Sequence, residues 1–202
     1  MMSMSLVHRS LVVVIVAVSL ALIVVLARQN RLLRSANLQL FERATRPYAG
    51  FTVPEFRTAT LEGDSVTLGR LSGDETGQLL FFFTTTCGFC KRTIPTWNTL
   101  AMRANDDFDS RAAIYGVVLD SGNVEDYVKT NGVAFPVVRL HDARALTLYR
   151  AKAVPLTVLI GPKGRIRFAH FAEFTKSTTL DSLHEALRDT TSLAVMAPSP
   201  MP

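Results

Sequence analysis

The stretch Gln78-Leu79-Leu80-Phe81-Phe82-Phe83-Thr84-Thr85-Thr86-Cys87-Gly88-Phe89-Cys90-Lys91-Arg92-Thr93-Ile94-Pro95 decides the fold. Gln78 to Thr84 is a short apolar run rich in aromatics and reads as a buried central strand. From about Cys87 to Ala104 the pattern changes, with Ile94, Trp97, Leu100 and Ala101 recurring at helical spacing on one face. Pro95 lies inside that helix, removes one backbone donor and is predicted to kink it. A buried strand therefore feeds into a helix that opens on a pair of cysteines.

These are the only two cysteines of the chain. A bond between them closes a loop too small to restrain the unfolded chain much, so stability does not explain the pair. Residues three apart at a helix start lie on the same side, close enough for their sulfurs to bond. The unpaired amides and the dipole of the first turn stabilise a thiolate at the first position. Cys87 is thus the predicted nucleophile and the deeper Cys90 the resolving thiol, with Cys87–Cys90 as the redox-active disulfide. Half of a zinc site needs further ligands at short spacing, but His8, His141, His170 and His184 are scattered, so no metal site is expected. A peroxidatic cysteine fits Thr84, three before Cys87, but Leu80 stands where peroxiredoxins have proline.

Outward from the pair, strand and helix patterns alternate. Phe56 to Leu61 and Ser65 to Leu68 flank a Gly/Asp turn and read as a hairpin. Ala112 to Leu119 reads as a core strand, Val124 to Thr130 as a short helix, Phe135 to Leu140 as a strand and Asp142 to Tyr149 as a helix. Leu156 to Ile160 and Arg165 to Phe171 flank the turn Gly161-Pro162-Lys163-Gly164, a second hairpin. A last helix, about Thr178 to Asp189, places Leu180, Leu183 and Leu187 on one stripe. The alternation predicts an α/β sheet with parallel members in one domain over 51–190. Residues 191–202 read as a flexible tail.

From Leu11 to Ala27 the chain carries no charge and Ser19 as its single hydroxyl. With Leu6 and Val7 it approaches the roughly 20 residues that span hydrocarbon. Residues 1–10 are a short N-terminal segment, 11–27 a transmembrane anchor in the lipid bilayer and 28–50 a linker holding at most one short helix. A cleaved signal peptide is the rival, but the apolar run exceeds the usual length of about 7 to 15 residues. The net charge of +5 reflects Arg28, Arg31, Arg34, Arg43 and Arg46 beside the apolar run. A juxtamembrane cluster facing anionic lipid accounts for these, so no nucleic-acid partner is expected. Read alone, the same arginines place the following domain in the cytoplasm.

Cys87-Gly88-Phe89-Cys90-Lys91, with Pro95 beyond it, is similar to the active-site motif and helix proline of thioredoxin. Val154-Pro155-Leu156-Thr157 resembles the segment whose proline is cis and faces the cysteines, and Gly164 matches the following glycine turn. The chain thus resembles the thioredoxin superfamily, specifically its membrane-anchored TlpA/ResA branch. The stretch from Cys87 to Pro155 is longer than in plain thioredoxin, and the excess matches that branch's extra helix and strand. The resemblance implies a thioredoxin-like α/β fold with an N-terminal β-hairpin and a helix-strand insertion, preceded by one transmembrane helix. It also implies a thiol-disulfide oxidoreductase without cofactor that reduces protein disulfides, as in cytochrome c or metal-site assembly. Val154 and Pro155, with Phe89 between the cysteines, are the implied substrate contacts. A membrane-embedded electron donor is the implied second partner. The implied location is a bacterial inner membrane, single-pass, with the catalytic domain facing the periplasm or the cell exterior, against the arginine rule. A copper metallochaperone of the same fold, with His170 near the thiols, is the alternative. The chain also departs from the pattern. Thr86 replaces a tryptophan before the first cysteine, Phe81 a buried acid, and Thr93 a glutamate found in many relatives.

Overall fold

Five consecutive apolar residues, Leu79 to Phe83, leave a strand no polar face, so it must be covered on both sides. The computed structural model, which describes residues 3–71, 75, 77–106, 112–175 and 177–195, places that strand at the centre of the sheet. In chain order the elements are α1 (Ser3–Thr45), β1 (Phe56–Ala59), β2 (Ser65–Leu68), β3 (Gly77–Phe83) and α2 (Gly88–Asp106). There follow β4 (Ala112–Val118), α3 (Val124–Asn131), β5 (Val137–Arg139), α4 (Ala143–Leu148), β6 (Leu156–Ile160), β7 (Ile166–Phe171) and α5 (Ser177–Val195). A single 3₁₀ turn, Pro162–Gly164, joins β6 to β7.

The sheet order is β5-β4-β3-β6-β7. β3 runs parallel to β4 and antiparallel to β6, so every residue of it is buried. Its side chains alternate between two cores. Leu79, Phe81 and Phe83 pack with Ile94, Trp97, Leu100, Leu183 and Leu187 of α2 and α5. Leu80 and Phe82 point to the opposite face, toward Val66, Leu68, Ala145 and Tyr149 of the hairpin and α4. β1 and β2 form the expected hairpin, which bridges the β5 edge through Thr60 and Val138. Helix α3 is closed at both ends: the Asn123 side chain accepts from Asp126 N–H, and Gly132 takes the left-handed conformation (φ 62°) that ends a helix cheaply.

Two elements differ from expectation. The chain divides into two units, Met1–Thr45 and Arg46–Pro202, and the first is a single helix of 43 residues. Residues 28–45, expected to hold at most one short helix, continue it. They contain no glycine or proline before Pro47 and are rich in Leu, Arg, Ala and Gln, all good helix formers. Within α1, Leu11–Asn37 is long and apolar enough to cross a membrane, its most apolar 18-residue window having a mean hydropathy of 3.0. At the other end α5 runs to Val195, so 191–195, expected as tail, are helical. Residues 196–202 lie outside the described residues. α2 passes through Pro95 as one helix.

Candidate active site

β3 ends at Phe83, and three threonines turn the chain toward α2. Cys87 stands immediately before the first helical residue: its N–H donates to Thr84 O at 3.3 Å and its carbonyl accepts from Lys91 N–H at 3.1 Å. Its own sulfur caps the helix, accepting from Cys90 N–H at 3.2 Å. That is the geometry in which an amide at a helix start holds a negative sulfur. The approach turn is tied from the far side by Asp120, just past β4. The Thr85 N–H reaches both Asp120 oxygens at 3.1 and 3.0 Å, and the Thr85 hydroxyl donates to Oδ2 at 2.6 Å. Gly122 allows this approach, since a Cβ there would strike the Thr85 hydroxyl.

The two thiols are unbonded and unequal. Cys87 is half-buried, whereas Cys90 is fully buried. Burial first, then its hydrogen bond to Cys87 and the charge there, push the Cys90 thiol far above its ordinary range. The backbone amides of Thr84 and Cys90 oppose this only in part.

The Val154-Pro155 peptide is cis, and the Val154 carbonyl lies 4.0 Å from the Cys87 sulfur. Beside it opens a largely apolar cavity of about 310 Å³ lined by Phe89, Val154, Pro155, Phe171, Ala172 and Glu173. Phe89 remains 59% exposed. Arg92 lies over the Phe89 ring at 4.5 Å and bonds Glu173 at 2.8 Å, which ties α2 to the loop after β7. Glu173, far away in sequence, thus pairs the Arg92 charge. Trp97 is core, stacked on Phe81 at 5.1 Å and donating to the buried Thr157 hydroxyl at 2.9 Å.

Residues 49–169, more than half of the chain, match one family by sequence. The chain belongs to the AhpC/TSA family. Among its relatives, the thiol-disulfide oxidoreductase ResA of Geobacillus thermodenitrificans is 28% identical over 131 residues, covering 63% of this chain and 71% of ResA. The sporulation thiol-disulfide oxidoreductase A of Bacillus subtilis is 26% identical over 114 residues, covering 55% of this chain and 67% of the relative. The crystal structure of StoA from Bacillus subtilis superposes with a TM-score of 0.53 at 23% identity, covering 72% of this chain and 99% of StoA. The fold is thioredoxin-like, and this AhpC/TSA member is a thiol-disulfide oxidoreductase.

In this family member the two sites expected to lack an acid do so for visible reasons. Phe81 is fully buried between Trp97 and Phe135, and Thr93 turns its hydroxyl back to Phe89 O at 2.9 Å. Two residues that sequence reading did not single out stand near the thiols instead, Asp120 and Tyr127. The pattern of α3 marks Tyr127 as an ordinary apolar-face residue, and nothing local ties Asp120 to Thr85. Among the described residues no three His, Cys, Asp or Glu side chains gather as metal ligands. His170, the candidate copper ligand, faces the Glu173 carbonyl at 3.2 Å and packs on Phe174 at 4.7 Å.

Proposed function

We propose that this oxidoreductase reduces specific protein disulfides through the Cys87–Cys90 pair, with Phe89, Val154 and Pro155 receiving the partner. The observation that carries this reading is the inequality of the two thiols beside an apolar cavity. An accessible sulfur held by a helix-start amide attacks. A sealed, neutral one waits to resolve. In the forward direction the Cys87 thiolate attacks the partner disulfide, forming a mixed disulfide and releasing one partner thiolate, which takes a proton from water. Cys90 then loses its proton, attacks the Cys87 sulfur and releases the second partner thiolate. The protein pair is oxidised by two electrons and the partner disulfide reduced. An extended partner segment pairs with the backbone at Val154 as an added strand.

The direction follows from the residues between the cysteines. Gly88 and Phe89 place no ionisable group there to hold a thiolate, and strong oxidants depend on such holding. The potential is therefore nearer about −270 mV than about −120 mV. A reductant of this kind needs recharging, which a membrane-embedded electron donor supplies. Helix α1 anchors the enzyme in a bacterial inner membrane by its apolar stretch. The catalytic domain faces the periplasm or cell exterior, where partner disulfides persist, such as those met in cytochrome c or metal-site assembly.

The test uses the full chain in detergent micelles. Cys90→Ser traps a mixed disulfide with insulin through Cys87, and Cys87→Ser abolishes insulin reduction. Equal alkylation rates of the two thiols near neutral pH would sink the assignment. For location, a membrane-impermeant thiol reagent added to intact reduced cells labels Cys87, and protection until lysis would place the domain inside.

A further inference from the structure

β7 is the last strand of its sheet, and residues 46–53 run antiparallel along its outer edge. Thr52 bridges Arg165, Gly50 N–H donates to Ile166 O at 2.7 Å, and Ile166 N–H donates to Phe51 O at 2.7 Å. Arg46 lies over the Phe171 ring at 4.5 Å. Tyr48 and Phe51 meet at 5.7 Å, and the Arg150 guanidinium stands 5.6 and 4.2 Å from their centroids. Lys152, Lys163 and Arg165 are exposed, as is Tyr48. Three separated stretches of chain thus bring cations and aromatic rings to one sheet edge. The charge there has one sign. Between Asp142 and Glu173 the chain carries six Lys or Arg and no acid, and between Arg46 and Glu55 there is no acid either. The acids that bound these stretches are engaged. Asp142 accepts from Ala145 N–H at 2.8 Å, Glu173 pairs Arg92, and Glu55 pairs Arg70 at 3.4 Å. Well-behaved soluble surfaces intersperse the two signs, and this edge does not.

We propose that this edge is a lipid-docking face, by which the catalytic domain rests on anionic phospholipid headgroups. The inference goes beyond the thiol chemistry and does not depend on it. A guanidinium fork matches the two free oxygens of a phosphodiester, and an exposed tyrosine suits the headgroup level, where its ring and its hydroxyl both find partners. Each cation held near an anionic surface strengthens binding about fivefold. The stretch able to cross a membrane ends at Asn37 and the domain opens at Arg46, so the chain tethers this edge within reach of headgroups. Tether and aromatic ring together favour lipid over an acidic protein as the occupant. Phe171, under Arg46, also lines the cavity beside Cys87. Docking therefore keeps the thiol site near the bilayer, where a membrane-embedded donor can reach it.

The experiment uses the full chain in vesicles of phosphatidylcholine, with or without phosphatidylglycerol, and Tyr48→Trp as the reporter beside the buried, constant Trp97. The apolar stretch of α1 keeps every sample bound, so quenching of position 48 by headgroup-labelled lipid reads contact of the domain itself. Phosphatidylglycerol raises the quenching severalfold, and high salt reverses the gain. Adding Lys152→Glu, Lys163→Glu and Arg165→Glu abolishes it, a loss of docking of more than about 100-fold, while the denaturation midpoint stays, because all three side chains are exposed. Arg57→Glu, Arg103→Glu and Lys129→Glu, exposed elsewhere on the domain, change net charge equally and leave the gain in place. Quenching that ignores phosphatidylglycerol overturns the proposal, whether or not the reversed variants fold. So does quenching that survives reversal at the edge, or that is lost equally in the second triple. A response to polyglutamate but not to phosphatidylglycerol also overturns it and assigns the edge to an acidic protein.

Discussion

Asp120 holds the turn that presents Cys87, and the size of that hold can be worked from the structure. Its carboxylate receives the Thr85 N–H, shared between both oxygens, and the Thr85 hydroxyl at 2.6 Å. A hydrogen bond to a charged group contributes about 1.5–3 kcal/mol, but both residues are half-buried, so water replaces part of each bond. Asp120→Ala is expected to cost about 2–3 kcal/mol, because it also leaves the Thr85 amide without its acceptor. Thr85→Val removes only the hydroxyl bond and is expected to cost about 1–1.5 kcal/mol. The double variant should cost no more than about 0.5 kcal/mol beyond Asp120→Ala, since its second change removes a donor whose acceptor is already gone. Urea denaturation of the full chain in micelles, read by fluorescence of Trp97, the only tryptophan, measures all three. Cys87 alkylation in Asp120→Ala should slow severalfold as the turn loosens. Strict additivity of the two single changes, or a cost for Asp120→Ala below about 0.5 kcal/mol, would refute the argument.

Trp97→Phe should lose about 2–4 kcal/mol, since it orphans the buried Thr157 hydroxyl and shrinks the stack on Phe81; the same denaturation, read by circular dichroism, checks it. The reduced protein should lose stability as pH rises above 9.0, the ordinary thiol value, because Cys90 ionises more readily unfolded than folded. Below that pH the contribution is fully present, and between pH 9 and 10 the slope approaches about 1.4 kcal/mol per unit. The oxidised protein, with no Cys90 thiol to ionise, should lack that slope; identical curves for both forms would count against the burial argument. Phe89→Ala should raise KM severalfold for apolar peptide disulfides while leaving alkylation of Cys87 unchanged, because Phe89 borders the cavity and leaves the sulfur's amide contact intact. Steady-state reduction of short peptides with apolar and with charged side chains beside the disulfide separates these outcomes.

Local pattern carried much of the fold. The run from Gln78 to Thr84, the helical spacing of Ile94, Trp97, Leu100 and Ala101, and the two Gly-containing turns each state their element within a dozen residues, because side-chain period and turn chemistry are properties of neighbours. The cysteine pair at a helix start was legible for the same reason. α1 extends through the expected linker to Thr45, because residues 28–45 hold no glycine or proline and are rich in good helix formers, a property already in the chain. What tertiary structure alone decided lies in contacts between distant residues. Asp120 meets Thr85 only because β3 and β4 pair in parallel and end together. Glu173 neutralises Arg92 only because β7 returns beside α2. The Tyr127 hydroxyl is sealed near the thiols only because α3 packs on Phe83. The sequence by itself determined which residues form the elements and where the sulfurs begin a helix. Their surroundings, and with them the proton balance of Cys90, arose from packing across the sheet, which no local pattern encodes.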